Sequence, residues 1–449
     1  MSYQDTVEQL YALGHELAST PPHKFDLAYV REMLAVLHHP ERRFASVLIA
    51  GTNGKGSTAA TLSSILRVAG HKTGLYSSPH LIGINERIRV DGEMISDVEF
   101  ATIHDRVERV AQQLVQAGKL PWHPSFFEML TVMAFEYFAG VGVEIAVLEV
   151  GMGGRLDATN VVEPVISVIA DISLDHQKYL GDTIGEIARE KAGIMRERGV
   201  VVTLPQHPQA NDVIGQAILD HRARGVSAAK YVPPVSPGAA GYVDRTAPGR
   251  TRYPLAVMGS EIMVDSPLVG RHQLRNIALA VATAEELAQF GFPATPKQIE
   301  QGIRETHWPG RFQVVPPSAA TGEREMVLDV AHNPAGAWAL RSALSENFPD
   351  RELTLVFAAM RDKAIQEIAD ILFPIAEQVV LTQVNNPRGA TTAELRPAVS
   401  RTGAAFSEEP NVAAALARAR EVSKRDGVIV VTGSIFLVGE AMDAMEMAT

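Results

Sequence analysis

The sequence predicts an α/β protein of two domains built on mostly parallel sheets, and three observations carry that prediction. The chain has 449 residues, more than one hydrophobic core usually organises. Short β-branched apolar runs alternate along it with apolar residues at helical spacing, the pattern of strands joined by helical crossovers. A glycine-rich turn also stands where the first such run gives way to a long helical pattern.

In chain order, residues 44–50 (FASVLIA) read as the first buried strand, because a strand covered on both faces needs no polar alternation. The turn GTNGKGS follows. After it Leu62, Ile65, Leu66 and Ala69 fall at helical spacing, with Gly70 placed as a C-terminal cap. Residues 144–150 (EIAVLEV), 165–172 (VISVIADI) and 200–204 read as further strands. Residues 232–250 are rich in Pro and Gly and read as an exposed loop or hairpin insertion. A helix opened by Thr295 and Pro296 leads to HWPGR at 307–311, where the domain boundary is expected: 1–306 and 307–449. Residues 326–330, 353–357, 378–382 and 428–432 then read as strands of a second sheet, and the Ala-rich C-terminal region as helix.

Composition narrows the function classes. With 46% hydrophobic and 21% charged residues the chain reads as an ordinary globular protein. No apolar run has the length of a membrane span, and the start MSYQDTVEQLYALG lacks the basic-then-apolar pattern of a signal peptide. The absence of cysteine excludes disulfides, thiolate metal sites and cysteine nucleophiles, and fits a reducing cytosol. A formal net charge of -11 argues against general nucleic-acid binding, so an anionic substrate must be drawn in by local Lys and Arg.

The turn GTNGKGS is suited to phosphate. Glycine permits positive φ and leaves backbone N–H groups uncovered at the positive end of a helix. Lys55 adds a point charge, and Thr52, Ser57 or Thr58 could add hydroxyls. The stretch departs from the strict GxxxxGK[ST] loop, since Ile49 stands five residues before Gly54 and Gly56 follows Lys55. Other polar residues also stand at strand ends. Glu149 closes EIAVLEV, where a carboxylate could hold Mg²⁺ against nucleotide phosphates; helix capping or a pair with Arg155 is the structural alternative. His176 follows a strand and reads equally as a metal ligand or a hydrogen-bonded loop residue. Lys191 in EIAREKAGI reads as a helix-surface lysine. Asp329, His332 and Asn333 follow MVLDV, and MRDK at 360–363 follows another strand, so both clusters fall on the rim of a second sheet.

A wider set of motifs is then specific. GTNGKGST, YSSPHL with NERIRVDG, FFEMLT, EVGMGGRLDATN, SLDHQKYLG, EKAGI, HQLRNIALA, WPGRF, LDVAHNP and TGSIFLVG stand in the order of the dihydrofolate synthase/folylpolyglutamate synthase family. The chain resembles these Mur-ligase-like, ATP-dependent amide ligases from about residue 44 to 440. The resemblance implies a P-loop Mur-ligase-like N-terminal domain with a mostly parallel sheet, a smaller Rossmann-like C-terminal domain, and ATP with magnesium in the cleft between them. It places the phosphate loop on Gly54, Lys55, Gly56 and Ser57, and magnesium ligands on Ser78, Glu149 and His176. Nucleotide contacts fall on Asn276, Arg311 and Asp329. A carbamylated lysine corresponds to Lys191. Pterin contacts fall near Phe126, Phe127, Leu156 and Asp157, although an apolar core is the competing account of both phenylalanines. His332 and Ser434 are expected to meet the incoming glutamate.

The implied chemistry is ligation of L-glutamate to dihydropteroate, to folate (poly)glutamates, or to both, in a cytoplasmic monomer with no nucleic-acid or membrane partner. ATP converts the acceptor carboxylate to an acyl phosphate, which the glutamate amine attacks. A peptidoglycan ligase of the Mur type is the nearest rival; its relatives carry a further N-terminal domain, whereas about 43 residues precede the first strand here. A non-catalytic ATP-dependent switch is the rival from another class.

Overall fold

The computed structural model describes residues 2–14, 26–234, 249–447 and 449. Eight strands make the first sheet: β1 (Ala45–Ala50), β2 (Thr73–Tyr76), β3 (Ile88–Val90), β4 (Glu93–Met94), β5 (Ile145–Glu149), β6 (Ile166–Ile169), β7 (Val200–Thr203) and β8 (Arg224–Ser227). Their order is β4-β3-β2-β5-β1-β6-β7-β8. Neighbours from β2 through β8 run parallel, and β3 and β4 add an antiparallel edge. A separate antiparallel hairpin joins β9 (Thr251–Val257) to β10 (Ser260–Ser266).

The second sheet contains β11 (Gln313–Val315), β12 (Glu325–Asp329), β13 (Leu353–Phe357), β14 (Gln378–Leu381), β15 (Phe406–Glu408) and β16 (Val428–Thr432). Its order is β11-β12-β16-β13-β14-β15, parallel except for β11. Both sheets have apolar clusters on either face, so their central strands are continuous Val, Ile and Leu runs.

The strands expected at β1, β5, β6, β7, β12, β13, β14 and β16 are present. The expected helix runs Lys55–Val68, with Gly70 just past its end at φ +92. Leu62, Ile65 and Leu66 are fully buried because this helix lies between the sheet and the helices Arg271–Leu287 and Pro296–Arg304. A Cβ on Gly302 would lie 2.4 Å from Ile65 Cα, so that glycine sets how closely two of the helices approach. Most of the expected insertion, residues 235–248, lies outside the described residues. The short strand β2 escaped the sequence reading. Its TGLY includes a glycine because the Phe138 ring packs where a side chain would stand, 3.1 Å from the place a Cβ on Gly74 would take.

Candidate active site

The two sheets present their carboxyl ends to one cavity of about 1020 Å³. Every residue the family resemblance assigns to catalysis, nucleotide, metal or substrate lines it, from Gly54 to Ser434, whereas Thr58 is buried with its Oγ1 on the Asn276 carbonyl and does not.

The glycine turn is held from below. The amides of Thr52 and Asn53 donate to the Asp171 carbonyl, Thr52 Oγ1 donates to the Ser173 carbonyl at 3.0 Å, and Asn53 Nδ2 donates to Ser173 Oγ at 3.1 Å. Gly54 takes φ +85, and a Cβ there would lie 2.1 Å from Asn276 Oδ1. Only glycine lets that buried asparagine close over the turn. The helix beginning at Lys55 carries no side-chain cap on its first amides, so they face the cavity with the helix dipole behind them. Lys55 Nζ donates to the Thr52 carbonyl at 3.3 Å.

Glu149 ends β5 opposite Ile49 of β1, which brings its carboxylate beside the turn. Its Oε2 accepts from the Ser78 amide at 3.2 Å. Arg155 pairs with Glu190 at 3.0 Å, so the alternative Glu149–Arg155 pair does not form. His176 opens the short helix Gln177–Leu180 from a left-handed conformation, φ 51. Burial pushes its imidazole down to about 4, which leaves it neutral with a lone pair to give. Ser78, Glu149 and His176 line the same cavity as the glycine turn; the carboxylate and hydroxyl are the oxygen donors Mg²⁺ takes, alongside water and phosphate oxygens, and a neutral imidazole is a donor more typical of other divalent metals. No group of three or more His, Asp or Glu gathers into a fuller cage among the described residues.

Lys191 is a correction to the helix-surface reading. It is buried, with Nζ donating to the Gly51 carbonyl at 2.9 Å. The last turn of its helix, Ile184–Ala192, sits directly on the 151–157 loop. A Cβ on Gly154 would lie 2.9 Å from the Glu190 carbonyl oxygen, and one on Gly193 would lie 2.4 Å from Arg155 Cβ. Burial, reinforced by the charge of Lys55, pushes the Lys191 amine down to about 7.

The second sheet supplies the opposite wall. Asp329 accepts from the amides of Phe312 (2.8 Å) and Ala331 (2.9 Å). Burial disfavours charge on both Asp329 and Arg311, and each offsets that cost for the other. His332 engages the Val330 carbonyl through Nδ1 at 2.9 Å, which leaves Nε2 toward Asp175 at 3.8 Å. Ser434 caps the helix Ile435–Ala444, its Oγ accepting from the Phe436 amide at 3.2 Å.

The two phenylalanines differ. Phe126 is buried and stacks on Tyr11 with ring centroids 5.6 Å apart and 12° between planes, so packing accounts for most of its surface. Phe127 is half-buried and presses on Gly151, where a Cβ would lie 2.7 Å from its ring. Asp157 accepts from the Met152 and Thr159 amides, both at 3.0 Å, and from Thr159 Oγ1 at 2.6 Å. It therefore shapes the loop that carries Leu156.

Sequence reasoning missed a hub. Asp175 takes Lys363 Nζ at 2.8 Å and Asn333 Nδ2 at 3.4 Å, both from the second sheet's side, and Asn333 Nδ2 also donates to Asn53 Oδ1 at 3.0 Å. Burial pushes the Asp175 carboxyl up, but His332, His176 and Lys363 together hold it well below the usual carboxylate range. All four residues stand inside motifs already quoted. Their pairing across more than a hundred residues leaves no mark in spacing.

Comparison with known proteins decides the family. Residues 108–284 match the Mur ligase middle domain, and residues 310–435 match the glutamate ligase domain of Mur ligases. The chain is 31% identical over 420 residues to the dihydrofolate synthase/folylpolyglutamate synthase of Bacillus subtilis, covering 92% of this chain and 93% of that one. The chain belongs to the dihydrofolate synthase/folylpolyglutamate synthase family of ATP-dependent amide ligases. It is also 34% identical over 449 residues to the folylpolyglutamate synthase of Lacticaseibacillus casei, 97% of either chain. Among solved structures, Mycobacterium tuberculosis folylpolyglutamate synthase complexed with ADP and AMPPCP superposes with a TM-score of 0.87 at 30% identity, over 100% of both chains. Escherichia coli FolC in complex with DHPP and ADP gives 0.81 at 26% identity, over 99% of this chain and 98% of that one. No helix among the described residues is long and apolar enough to cross a membrane.

Proposed function

We propose that this chain joins the amine of L-glutamate to the carboxylate of dihydropteroate, of a folate (poly)glutamate, or of both, using ATP. The observation that carries the reading is the meeting of the Gly54–Ser57 turn, Glu149 and His176 with Asp329, His332 and Ser434 around one cavity. A phosphate cradle facing a second, polar rim is what acyl activation followed by amine attack requires. A switch needs the first wall alone.

In this reading the Gly54–Ser57 amides and Lys55 hold the triphosphate and offset charge as the γ-phosphoryl group moves to the acceptor carboxylate. Ser78, Glu149 and His176 would hold the magnesium ion, which supplies charge neutralisation for phosphate oxygens when bound. Asn276, Arg311 and Asp329 orient the nucleotide. Lys191, with an amine that is substantially neutral near pH 7, is chemically able to add carbon dioxide and become a carbamate. Phe127 and the Leu156–Asp157 loop offer a face for a flat heterocycle, and Phe126 supports it from the core. His332 and Ser434 meet the incoming amino acid, which attacks the acyl phosphate and releases phosphate. Holding the reactants together supplies much of the rate.

The domain boundary at 306/307, monomeric state and cytoplasmic location belong to the same proposal. The first is supported by the short connection between the helix Pro296–Arg304 and β11, in which Pro309 and Gly310 stand. The test is direct: incubate with ATP, Mg²⁺ and L-glutamate, offer dihydropteroate or tetrahydrofolate separately, and read product masses. One added glutamyl residue is expected with at least one acceptor, and Lys55→Ala is expected to abolish it without loss of the fold. ATP hydrolysis indifferent to both acceptor and glutamate would point to a switch.

A further inference from the structure

The carboxyl ends of the parallel strands β12, β16, β13 and β14, adjacent in that order, are followed by His332, Ser434, Lys363 and Arg388. All four line the cavity, as ligand-binding residues do at this edge of a parallel sheet. Among the described residues, three Lys or Arg side chains reach the cavity from beyond residue 306: Arg311, Lys363 and Arg388. Two are already engaged. Arg311 is half-buried, with Asp329 and Glu149 as its electrostatic partners, and the Lys363 side chain, 9% exposed, is paired with Asp175. Arg388 is different. Among the described residues its guanidinium is held through Nη2, at 3.1 and 3.2 Å from the two oxygens of Asp362, and the side chains are 28% and 44% exposed.

We propose that Arg388 selects the incoming amino acid by taking its side-chain carboxylate, with Asp362 holding the guanidinium until that carboxylate arrives. The inference rests on the glutamate-ligating reading above and names the residue that gives it specificity.

The backbone at Arg388 is fixed in advance. Its amide donates to Asn386 Oδ1 at 3.0 Å, its carbonyl accepts from the Arg361 amide at 3.0 Å, and Ala390 donates to the Ala359 carbonyl at 2.9 Å. The loop after β14 is thus tied to the loop after β13, so the guanidinium starts from a defined place on the rim. An exposed pair such as Arg388–Asp362 is weak and easily exchanged. A ligand carboxylate can meet the arginine fork with two parallel hydrogen bonds, which one nitrogen shared by Asp362 does not provide. Position agrees. Arg388 follows β14, two places from β16, which Ser434 follows, roughly 10 Å along the rim at ordinary strand spacing. An amine near His332 and Ser434 therefore leaves the far end of an extended side chain toward Arg388. The α-carboxylate, common to every amino acid, stays near the amine and cannot supply the choice.

The test compares Arg388→Gln, Arg388→Lys and Asp362→Asn in the full-length protein. Each is assayed for ligation of L-glutamate and of L-glutamine at saturating ATP and acceptor. Arg388→Gln is expected to raise KM for L-glutamate roughly 10²-fold, to erase the preference for glutamate over glutamine, and to leave KM for ATP in place. Arg388→Lys should recover part of the preference. Asp362→Asn should leave KM for L-glutamate at or below the wild-type value. An Arg388→Gln protein that keeps wild-type KM and preference overturns the inference. So does a parallel loss in Arg388→Gln and Asp362→Asn, which would make the pair a structural clasp. A wild-type protein with no glutamate-dependent product would remove the proposed function itself, an outcome distinct from a selective wild type whose selectivity ignores Arg388.

Discussion

The Asp175–Lys363 pair lends itself to a quantitative test, because it joins the two walls of the cavity and is nearly sealed from water. Nζ and Oδ1 are 2.8 Å apart, and the side chains are 10% and 9% exposed. At an effective dielectric of about 20, opposite charges at that distance attract by about 6 kcal/mol. Desolvation costs several kcal/mol per ion, so the net worth of the pair is far smaller than the attraction. Removal of one partner is another matter, since the survivor keeps its desolvation cost and loses its compensation: about 3–5 kcal/mol. Lys363→Met leaves Asp175 facing Asn333 and His332, which soften the loss, and the lower figure is expected. Asp175 belongs to the first sheet's loops and Lys363 to the second's, so the loss should fall on the assembled site. The expected result is a fall in kcat/KM of about 10²-fold or more for Lys363→Met and for Asp175→Asn alone. The double variant should lose at least about 1.5 kcal/mol less than the sum of the singles. Losses that add to within about 0.5 kcal/mol would refute the claim that these charges act as a unit.

Three further perturbations follow from the same geometry. Gly54→Ala must place a Cβ against Asn276 Oδ1 in a left-handed conformation, so about 1–2 kcal/mol of strain and a rise in KM for ATP are expected, with adding Asn276→Ala relieving part of the strain in stability but not the KM, since Asn276 is itself a proposed nucleotide contact; a KM at the wild-type value in Gly54→Ala would show that the turn does not grip the nucleotide. Arg311→Ala strands the buried Asp329 carboxylate, and both ATP affinity and turnover should fall; if neither changes, Arg311 does not couple the junction to the nucleotide. His272 is a half-buried histidine whose ring, with Nδ1 sealed from water, is pushed down to about 4 by desolvation, against about 6.5 when unfolded. Between those values the unfolded chain binds the extra proton, so stability is lost as pH falls, by about 2 kcal/mol from about pH 7.5 to 5. Urea titrations of wild type and His272→Gln at both pH values should show that much less acid sensitivity in the variant, and equal slopes would refute the assignment.

What could be read in the sequence divides along physical lines. The strands β1, β5, β6, β7, β12, β13, β14 and β16 were legible because burial on both faces demands uninterrupted apolar side chains, which is a local property. β2 was not, since Gly74 answers to the Phe138 ring rather than to strand propensity. The edge strands β3 and β4 span three and two residues, too few for any period to register. The same division holds in the site. Gly54, Glu149 and His176 announce themselves by residue type at a strand end. Lys191 did not, because its burial comes from Gly154 and Gly193 letting a helix turn settle onto a loop some forty residues earlier.

Charge shows why the remaining part could not be read by counting. The chain is acidic overall, yet eight Lys or Arg face eight Asp or Glu in the cavity lining. A balance of that kind attracts no anion by net excess, so attraction depends on which charges are already matched. Asp171 is matched to Arg275, Glu190 to Arg155, Asp175 to Lys363 and Asp329 to Arg311. Asp26, Glu128 and Asp157 accept backbone amides as helix or loop caps. Once these acids are assigned, Lys55 is left reaching back to the Thr52 carbonyl of its own turn. Glu149 takes the Ser78 amide and feels Arg311 from across the cavity, which holds its carboxylate beside that same turn. The proposed anion and cation sites therefore stand next to each other at β1 and β5, through the register that sets Ile49 against Glu149. A pairing between residues a hundred positions apart makes the site, and a sheet is the structure that can hold such a pairing in register.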